Sequence, residues 1–419
     1  MTAVFLPKRA AVATLMMLSC CVARAGEPAD DAGATPRWSV GGFGTLGVVH
    51  SSDDQSDFTA NPLTPGNAGH GRDWSHSVDS RAGVQLGLDL DSKWSAVLQL
   101  VYESTLRYGY HPVVEWANVQ YKLTPDLSLR VGRIALPLFL VGDYRKAGYA
   151  LPWVRPPVEL YGAIPITNSD GVDATYRWQS GDLHHVTQAF YGYADLPLTP
   201  TARAQARGII GLSNTTTSGA LTVRASVMAS DLSVGLGREL FDGLRQFGAQ
   251  GRALAQRYQL EDKRAQVGTL GLSYDPGAWF AMGEISRFNS HSSLGDTTSA
   301  YVSAGYRYRD FTPYVALSHA HANMATRVDG LDLSGLPAPM AAAGAQLNAG
   351  LNQMLMEIPR QRTVGAGVRW DFYANHALKL QVERVTPQQG SAGTFINVQP
   401  GFRSGRPITV LSAALDFVF

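Results

Sequence analysis

The chain reads as all-β: a transmembrane antiparallel β-barrel of about sixteen strands, with short periplasmic turns and long outer loops. Three observations predict this. Apolar and polar residues alternate with period two in every well-patterned segment. The links between those segments alternate between short and long. A leader-like N-terminus is followed by no apolar run approaching the roughly 20 residues that a membrane helix needs.

The leader comes first. Lys8 and Arg9 form a basic start, Ala10 to Val22 an apolar stretch too short to span a bilayer, and Ala23-Arg24-Ala25 a small-x-small cleavage site. This divides the chain into a signal peptide, 1–25, and a barrel, 26–419, beginning at Gly26. Cys20 and Cys21 both fall in the leader, so the mature chain would carry no thiol. Met17-Leu18-Ser19 matches a lipoprotein signal poorly, which argues against acylation of Cys20.

The strands are most legible at the C-terminus. Leu411, Ala413, Leu415, Phe417 and Phe419 share one face, Ser412, Ala414 and Asp416 the other. Val84 to Leu90, Trp94 to Tyr102, Val172 to Trp178 and Val364 to Trp370 repeat the pattern. The short links include Asp91-Ser92-Lys93, Thr124-Pro125-Asp126, Gln179-Ser180-Gly181-Asp182, Asp275-Pro276-Gly277 and Tyr373-Ala374-Asn375-His376. Long links fall at 51–77, 134–169, 231–263, 322–360 and 386–406. A soluble sandwich also alternates, but it has no reason to keep this rhythm of links. Trp38, Trp94, Tyr121, Trp178, Tyr274, Trp279, Tyr308, Phe311, Trp370, Phe417 and Phe419 cluster beside the short turns or the terminus, as an interfacial girdle would. Two long loops carry helical spacing instead, at Phe241, Leu244, Phe247, Leu254, Tyr258 and at Leu347, Leu351, Met354, Ile358. They read as short helices at the barrel rim, with a lid or partner-binding face as the functional alternative.

Taken together, the leader, the even strand count, the rhythm of links and the terminal Leu415-x-Phe417-x-Phe419 resemble Gram-negative outer-membrane porins, most nearly the sixteen-stranded trimeric ones. The resemblance spans nearly the whole mature chain as pattern. It implies a homotrimer in the outer membrane, in contact with outer-membrane lipid. It also implies that the barrel-assembly machinery reads the last strand, here Phe417 and Phe419, and that the third outer loop, 134–169, folds into the lumen. That loop contains Leu136-Pro137-Leu138-Phe139, Asp143-Tyr144-Arg145-Lys146 and Trp153-Val154-Arg155-Pro156-Pro157-Val158-Glu159, a composition suited to a stiff packed segment. The acidic Gly-rich signature of enterobacterial third loops is absent, so their eyelet residues are not carried over.

No sequence feature selects a catalytic centre. Gly42-Phe43-Gly44-Thr45-Leu46-Gly47 matches G-x-G-x-x-G but continues as strand into Val48-Val49, so it reads as a small-residue barrel strand. There is no G-x-S-x-G elbow and no P-loop. His184 and His185 face opposite sides of a strand, and His319 and His321 share a face without nearby cysteines or acids, so neither pair reads as zinc ligands. Asp53, Asp54 and Asp57 lack a calcium-loop pattern and read as a solvated loop. No cofactor or metal is expected. The formal net charge of +1 gives no bulk case for nucleic-acid binding.

What remains is electrostatic lining. Charged residues make up only 16% of the chain. On faces opposite the apolar stripe stand Arg81, Arg107, Lys122, Arg130, Arg177, Arg307, Arg369 and Lys379, against Asp79, Asp89, Glu103, Asp173 and Glu383. Such charges are costly against lipid but solvated in a watery lumen, and their sign sets ion preference. With Asp143, Arg145, Arg155 and Glu159 on the third loop, they are the candidate pore lining. Asp143 and Glu159 are expected to face Arg81 and Arg130 across the narrowest gap. The expected function is passive diffusion of small hydrophilic solutes and ions, with weak anion preference and no enzymatic activity. Two alternatives stay open: a substrate-specific channel, for instance for sugars, using Tyr144, Tyr149, Trp153 and Tyr161, or a plugged barrel serving as an enzyme or adhesin.

Overall fold

The computed structural model describes residues 36–388 and 390–419; the expected leader lies outside the described residues. β1 (Arg37–Ser51) is followed by β2 (Arg81–Asp89), β3 (Trp94–Thr105), β4 (Gly109–Lys122), β5 (Leu127–Ala135), β6 (Asn168–Ser180), β7 (Leu183–Pro197) and β8 (Arg203–Ser218). Then come β9 (Leu221–Val234), β10 (Lys263–Tyr274), β11 (Trp279–Asn289), β12 (Thr297–Tyr306), β13 (Phe311–Ala322), β14 (Gln361–Tyr373), β15 (His376–Pro387) and β16 (Ile408–Val418). Each strand pairs antiparallel with the next, and β16 returns to β1, with Phe43 opposite Val418 and Ser51 opposite Val410. The result is a closed sixteen-stranded barrel, with Trp74–Ser75 added as one extra two-residue strand on β1. Closure matters because an open edge would leave backbone N–H and C=O groups unpaired in hydrocarbon.

Alternation decides which side chains meet lipid. Leu46, Val84, Val131, Ile210, Val227, Val302 and Val315 point outward and are exposed, while Thr45, Gly83, Ser226, Ser303 and Tyr314 point inward and are buried. The aromatic girdle forms at the short-turn end, where Trp94 packs on Tyr121 (ring centroids 4.6 Å apart), Tyr274 on Trp279 (5.3 Å) and Phe311 on Trp370 (5.7 Å).

Two expectations about the links change. Three loop-end connections are tight: 106–108, 198–202 and 290–296. Arg107 therefore sits on no strand face. The run Leu106-Arg107-Tyr108 is a turn, released by Gly109 at φ 65°, and the exposed guanidinium lies 4.8 Å over the Tyr108 ring. Arg307 likewise lies in a short link, paired with Asp275 at 2.7 Å. The helical loops form as expected: α1 (Arg238–Arg245) and α2 (Gly248–Tyr258) in one, α3 (Ala338–Met356) in the other. They pack on each other through Phe241, Leu244, Tyr258, Leu351 and Leu355, which buries apolar faces that no single helix could bury alone.

At the closing seam, glycine is needed for close approach. A Cβ on Gly44 would run into the Phe417 ring, and one on Gly42 into the Phe419 ring. Gly41, one residue away, has only ordinary contact with the Phe419 carbonyl at 3.5 Å. Gly44→Val should cost about 1–3 kcal/mol by overpacking and lower the fraction of chain that migrates as heat-modifiable barrel on gels, while Gly41→Ala should leave it near wild type. Equal folded fractions for the two variants would contradict this account of the seam.

Candidate functional site

The third outer loop (136–167) leaves β5, enters the lumen and returns to β6. A backbone bond from Leu136 N to Thr167 O (3.0 Å) closes its neck. The first limb is apolar. Ile134, Leu136, Leu138, Phe139, Leu140 and Val141 pack with Phe190, Ile209, Val267, Phe280 and Tyr301 of the wall. Pro137 has no N–H to satisfy, and two buried carbonyls of this limb are met by wall hydroxyls: Ser226 Oγ donates to Pro137 O (2.9 Å) and Thr269 Oγ1 to Leu138 O (2.6 Å). Glu284 of β11 accepts from the Leu140 amide (2.8 Å), the Tyr301 hydroxyl (2.9 Å) and the Tyr161 hydroxyl. Burial pushes the Tyr161 phenol well above its ordinary value, with Tyr301 and Glu284 adding to the rise, so it serves as a neutral donor.

The loop then crosses the lumen on charges. Lys146 Nζ reaches Glu103 of β3 (2.5 Å) and Glu115 of β4 (2.7 Å). Burial alone would lower its ammonium, but the Glu115 and Glu103 carboxylates outweigh that and hold it above its ordinary value. Arg145 does not face the lumen wall. It donates to the carbonyls of Tyr161 (3.1 Å), Ile164 (3.3 Å) and Pro165 (3.2 Å), binding the two limbs of the loop together.

The far limb is pinned to β12–β16. Lys379 and Asp416, both fully buried, pair at 2.8 Å, and Lys379 also donates to Gly148 O (2.6 Å) and Trp153 O (2.9 Å). Arg369 holds Tyr149 O (2.5 Å) and Leu151 O (3.0 Å) while paired with Asp371 (2.8 Å). Trp153 Nε1 donates to Ser303 Oγ (2.8 Å). Arg155 is the strongest clamp. Its guanidinium forks onto Asp79 (2.9 and 2.7 Å), a residue of the first outer loop, and reaches Glu383 (2.6 Å) and Ser412 (2.6 Å). Its side chain is 2% exposed. Burial opposes its charge, but Asp79 and Glu383 prevail and hold it above the usual arginine value. Glu159 accepts from Ser318 (2.6 Å), Gln361 (2.5 Å) and Thr363.

These positions revise the expected lining. Arg155 and Glu159 are buried anchors between loop and wall and meet no water, because each is fully occupied by protein partners. Neither Asp143 nor Glu159 faces Arg81 or Arg130. Asp143 is half-exposed and pairs with Arg224 of β9 (3.3 Å), and Arg130 pairs with its cross-strand neighbour Asp173 (2.8 Å). Arg81 points inward opposite Glu103, and Arg177 points inward near the short-turn end of β6, half-buried. Lys146, Glu115, Arg224, Glu284 and Asp416 were absent from the expected lining. Asp416 stood in plain sight on the polar face of the last strand, but Glu115 sits at a bulge that shifts the alternation of β4.

Exposure is uneven around the lumen. On β10–β16 and β1 the inward side chains at loop depth are buried, among them Thr269, Glu284, Tyr301, Ser318, Thr363, Gln381, Ser412 and Thr45. On β2–β5 a string of inward polar side chains keeps partial exposure. It runs from Lys122 and Gln120 at the short-turn end, through Asn118, Gln85 and Arg130, to Arg81 and His111 near the loop end. The loop thus packs mainly on β10–β16 and β1, crosses to β3 and β4 only through Lys146, and leaves the polar string on β2–β5 partly exposed.

No family model and no curated protein matches the chain. Solved structures do. Salmonella typhi OmpF, in complex with daunomycin, is 12% identical with a TM-score of 0.53, covering 91% of this chain and 97% of that one. The outer membrane channel DcaP of Acinetobacter baumannii is 10% identical with a TM-score of 0.53, covering 94% and 100%. An anion-selective porin from Comamonas acidovorans is 12% identical with a TM-score of 0.51, covering 92% and 100%. At these identities the likeness is one of fold. A closed sixteen-stranded wall, an outward apolar face, long loops at one end and a third loop laid across the lumen give this chain the sixteen-stranded β-barrel fold of those porins.

Proposed function

We propose that the protein is a passive diffusion channel of the outer membrane for small hydrophilic solutes and ions, narrowed by its third outer loop and weakly anion-preferring. The observation that carries this reading is the wet polar string on β2–β5, beside a loop anchored to the opposite wall. A plugged barrel serving as a scaffold or enzyme would have no need of half-exposed lysine and arginine side chains along one continuous face of its interior. Among the charged side chains of this face that keep exposure, Arg81, Lys122 and Arg130 stand against Asp89, because Glu103, Glu115 and Asp173 are buried and paired with Lys146 or Arg130. In a narrow low-dielectric passage such an excess favours anions. Homotrimer assembly and recognition of Phe417 and Phe419 by the barrel-assembly machinery belong to the same reading and rest on the resemblance in the terminal strand.

The test is ion selectivity in planar bilayers. Wild type should conduct and show a reversal potential displaced toward anions in asymmetric salt. Arg81→Gln and Lys122→Glu should each move it toward cations. A unit charge about 4 Å from an ion in a water-like medium is worth about 1 kcal/mol, so a roughly two- to fivefold change in permeability ratio is expected. The change should shrink in molar salt, where the Debye length falls to about 3 Å. Folded wild type that passes no ions would overturn the channel reading in favour of a plugged barrel.

The clamp gives a second prediction. Arg155→Ala leaves Asp79 and Glu383 as buried carboxylates without their cation, at a cost of about 3–5 kcal/mol. The loop should loosen, single-channel current should become larger and noisier, and the barrel should lose its heat-modifiable form at lower temperature. Unchanged current and unchanged thermal stability together would show that Arg155 does not hold the loop.

A further inference from the structure

The first outer loop (52–80) does not stay above its own strands. Its middle folds into a small hairpin, with Asp57–Phe58 paired antiparallel to Ala68–Gly69. The base of the hairpin is fixed beside β1, β15 and β16. Phe58 is fully buried in a cluster with Val49, Val385, Val410, Phe395 of the last outer loop and Val158 of the third. Asp57 N donates to Ile396 O (2.8 Å), Ile396 N returns a bond to Asp57 O (3.0 Å), and the Asp57 carboxylate accepts from Asn397 Nδ2 (2.7 Å).

The tip reaches the opposite rim. Thr59 Oγ1 donates to the carbonyls of Asn61 (2.9 Å) and Thr64 (3.2 Å), and Asn61 Oδ1 accepts from the Leu63 amide (2.8 Å). The turn therefore braces itself and fixes where Leu63 points. The Leu63 side chain packs against a socket of Leu198 and Ala202 from the fourth outer loop, Val234 at the end of β9 and Leu260 from the fifth outer loop. Ala204 and Leu232, which border this socket, are inward positions of β8 and β9. In a closed ring of sixteen strands β9 stands diametrically opposite β1, so the hairpin spans the mouth. On the way, Leu63 O accepts from Leu106 N (3.3 Å), in the turn above the Glu103–His111 pair of β3 and β4. His111 is a loop-end member of the partly exposed polar string, so the hairpin lies over the entrance to it.

The two ends are held unequally. The base has a buried ring, two backbone bonds to the last loop and a bonded carboxylate. The far end has one half-buried leucine, and among the described residues its one hydrogen bond to another loop is the long one from Leu106. Segments with few buried contacts open before the rest of a fold does. An apolar grip also lets go without leaving a buried polar group unpaired.

We propose that this hairpin is a strap across the entrance and that Leu63 is its latch, a determinant of solute size separate from the third loop below. Seated, the strap limits what reaches the polar string; released, it swings on its base and admits larger solutes. The inference rests on the channel reading.

The experiment measures swelling of liposomes that carry the folded full-length barrel, with a pentose and a trisaccharide as probes. Leu63→Ser removes the apolar grip and should shift the seated-to-released ratio by roughly five- to tenfold. The trisaccharide-to-pentose rate ratio should rise by a comparable factor, because only the released form admits the larger sugar. Leu198→Ser, on the socket side, should give the same rise. Leu63→Met, which keeps an apolar side chain of similar volume, and Pro62→Ala, exposed in the same turn, should keep the wild-type ratio. Heat-modifiable migration is measured on every variant, so that only folded barrels count. An unchanged ratio in either folded serine variant, or an equal rise in Leu63→Met or Pro62→Ala, would overturn the proposal. Folded barrels that admit neither sugar in any variant would overturn the channel reading, and this inference with it.

Discussion

A charge facing the inside of a barrel wall must meet either water or an opposite charge, and the third outer loop stays where it is because it supplies opposite charges at defined points, most of them on β12–β16 and one, Lys146, on β3 and β4. Arg155 meets Asp79 and Glu383, Lys146 meets Glu103 and Glu115, and Lys379, paired with Asp416, caps the carbonyls of Gly148 and Trp153. Such buried pairs add little net stability compared with an apolar core, but removing one partner is costly. Their consequence is positional: the loop has one register against the wall and resists sliding. The apolar first limb supplies the burial, and the charges specify where it sits.

The same rule accounts for the other surfaces. Where the loop covers the wall, on β10–β16, Thr269, Ser318 and Lys379 are satisfied by loop carbonyls and by the Glu159 carboxylate. On β2–β5 Gln99, Glu103, Glu115 and Ser128 are buried, while Arg81, Gln85, Asn118, Gln120, Lys122 and Arg130 keep partial access to water. Outside, Arg133, Arg203 and Arg264 on β5–β10 are paired with carboxylates. Lumen, loop and lipid face thus follow from where each cation finds its neutralising group.

Much of the fold was legible because its signals are local. Alternation in Leu411 to Phe419 is read within one strand, and the long link between β5 and β6 stands out by length and by its prolines. The site was less legible because its partners are distant in sequence: Arg155 lies 76 residues from Asp79 and 228 from Glu383, and no spacing rule joins them. Arg107 was misplaced because alternation continues visually through a tight turn, and Glu115 was missed because a bulge shifts its face. His319 and His321 were correctly seen to share a face, but a face shared with Val315 and Leu317 is the lipid side, which only the closed barrel makes evident.

The central claim is that solutes pass along β2–β5, beside a loop locked to the opposite wall. Because the only cysteines are Cys20 and Cys21, a single introduced thiol in the barrel can be labelled without background in protein produced without residues 1–25. Single-channel current should be recorded from Gln85→Cys, Asn118→Cys and, on the covered wall, Ser299→Cys, before and after adding a charged thiol reagent. Stepwise block of the first two, with Ser299→Cys unaffected, is the predicted result. Block at Ser299→Cys with Gln85→Cys and Asn118→Cys untouched, or no current in any folded barrel, would contradict it.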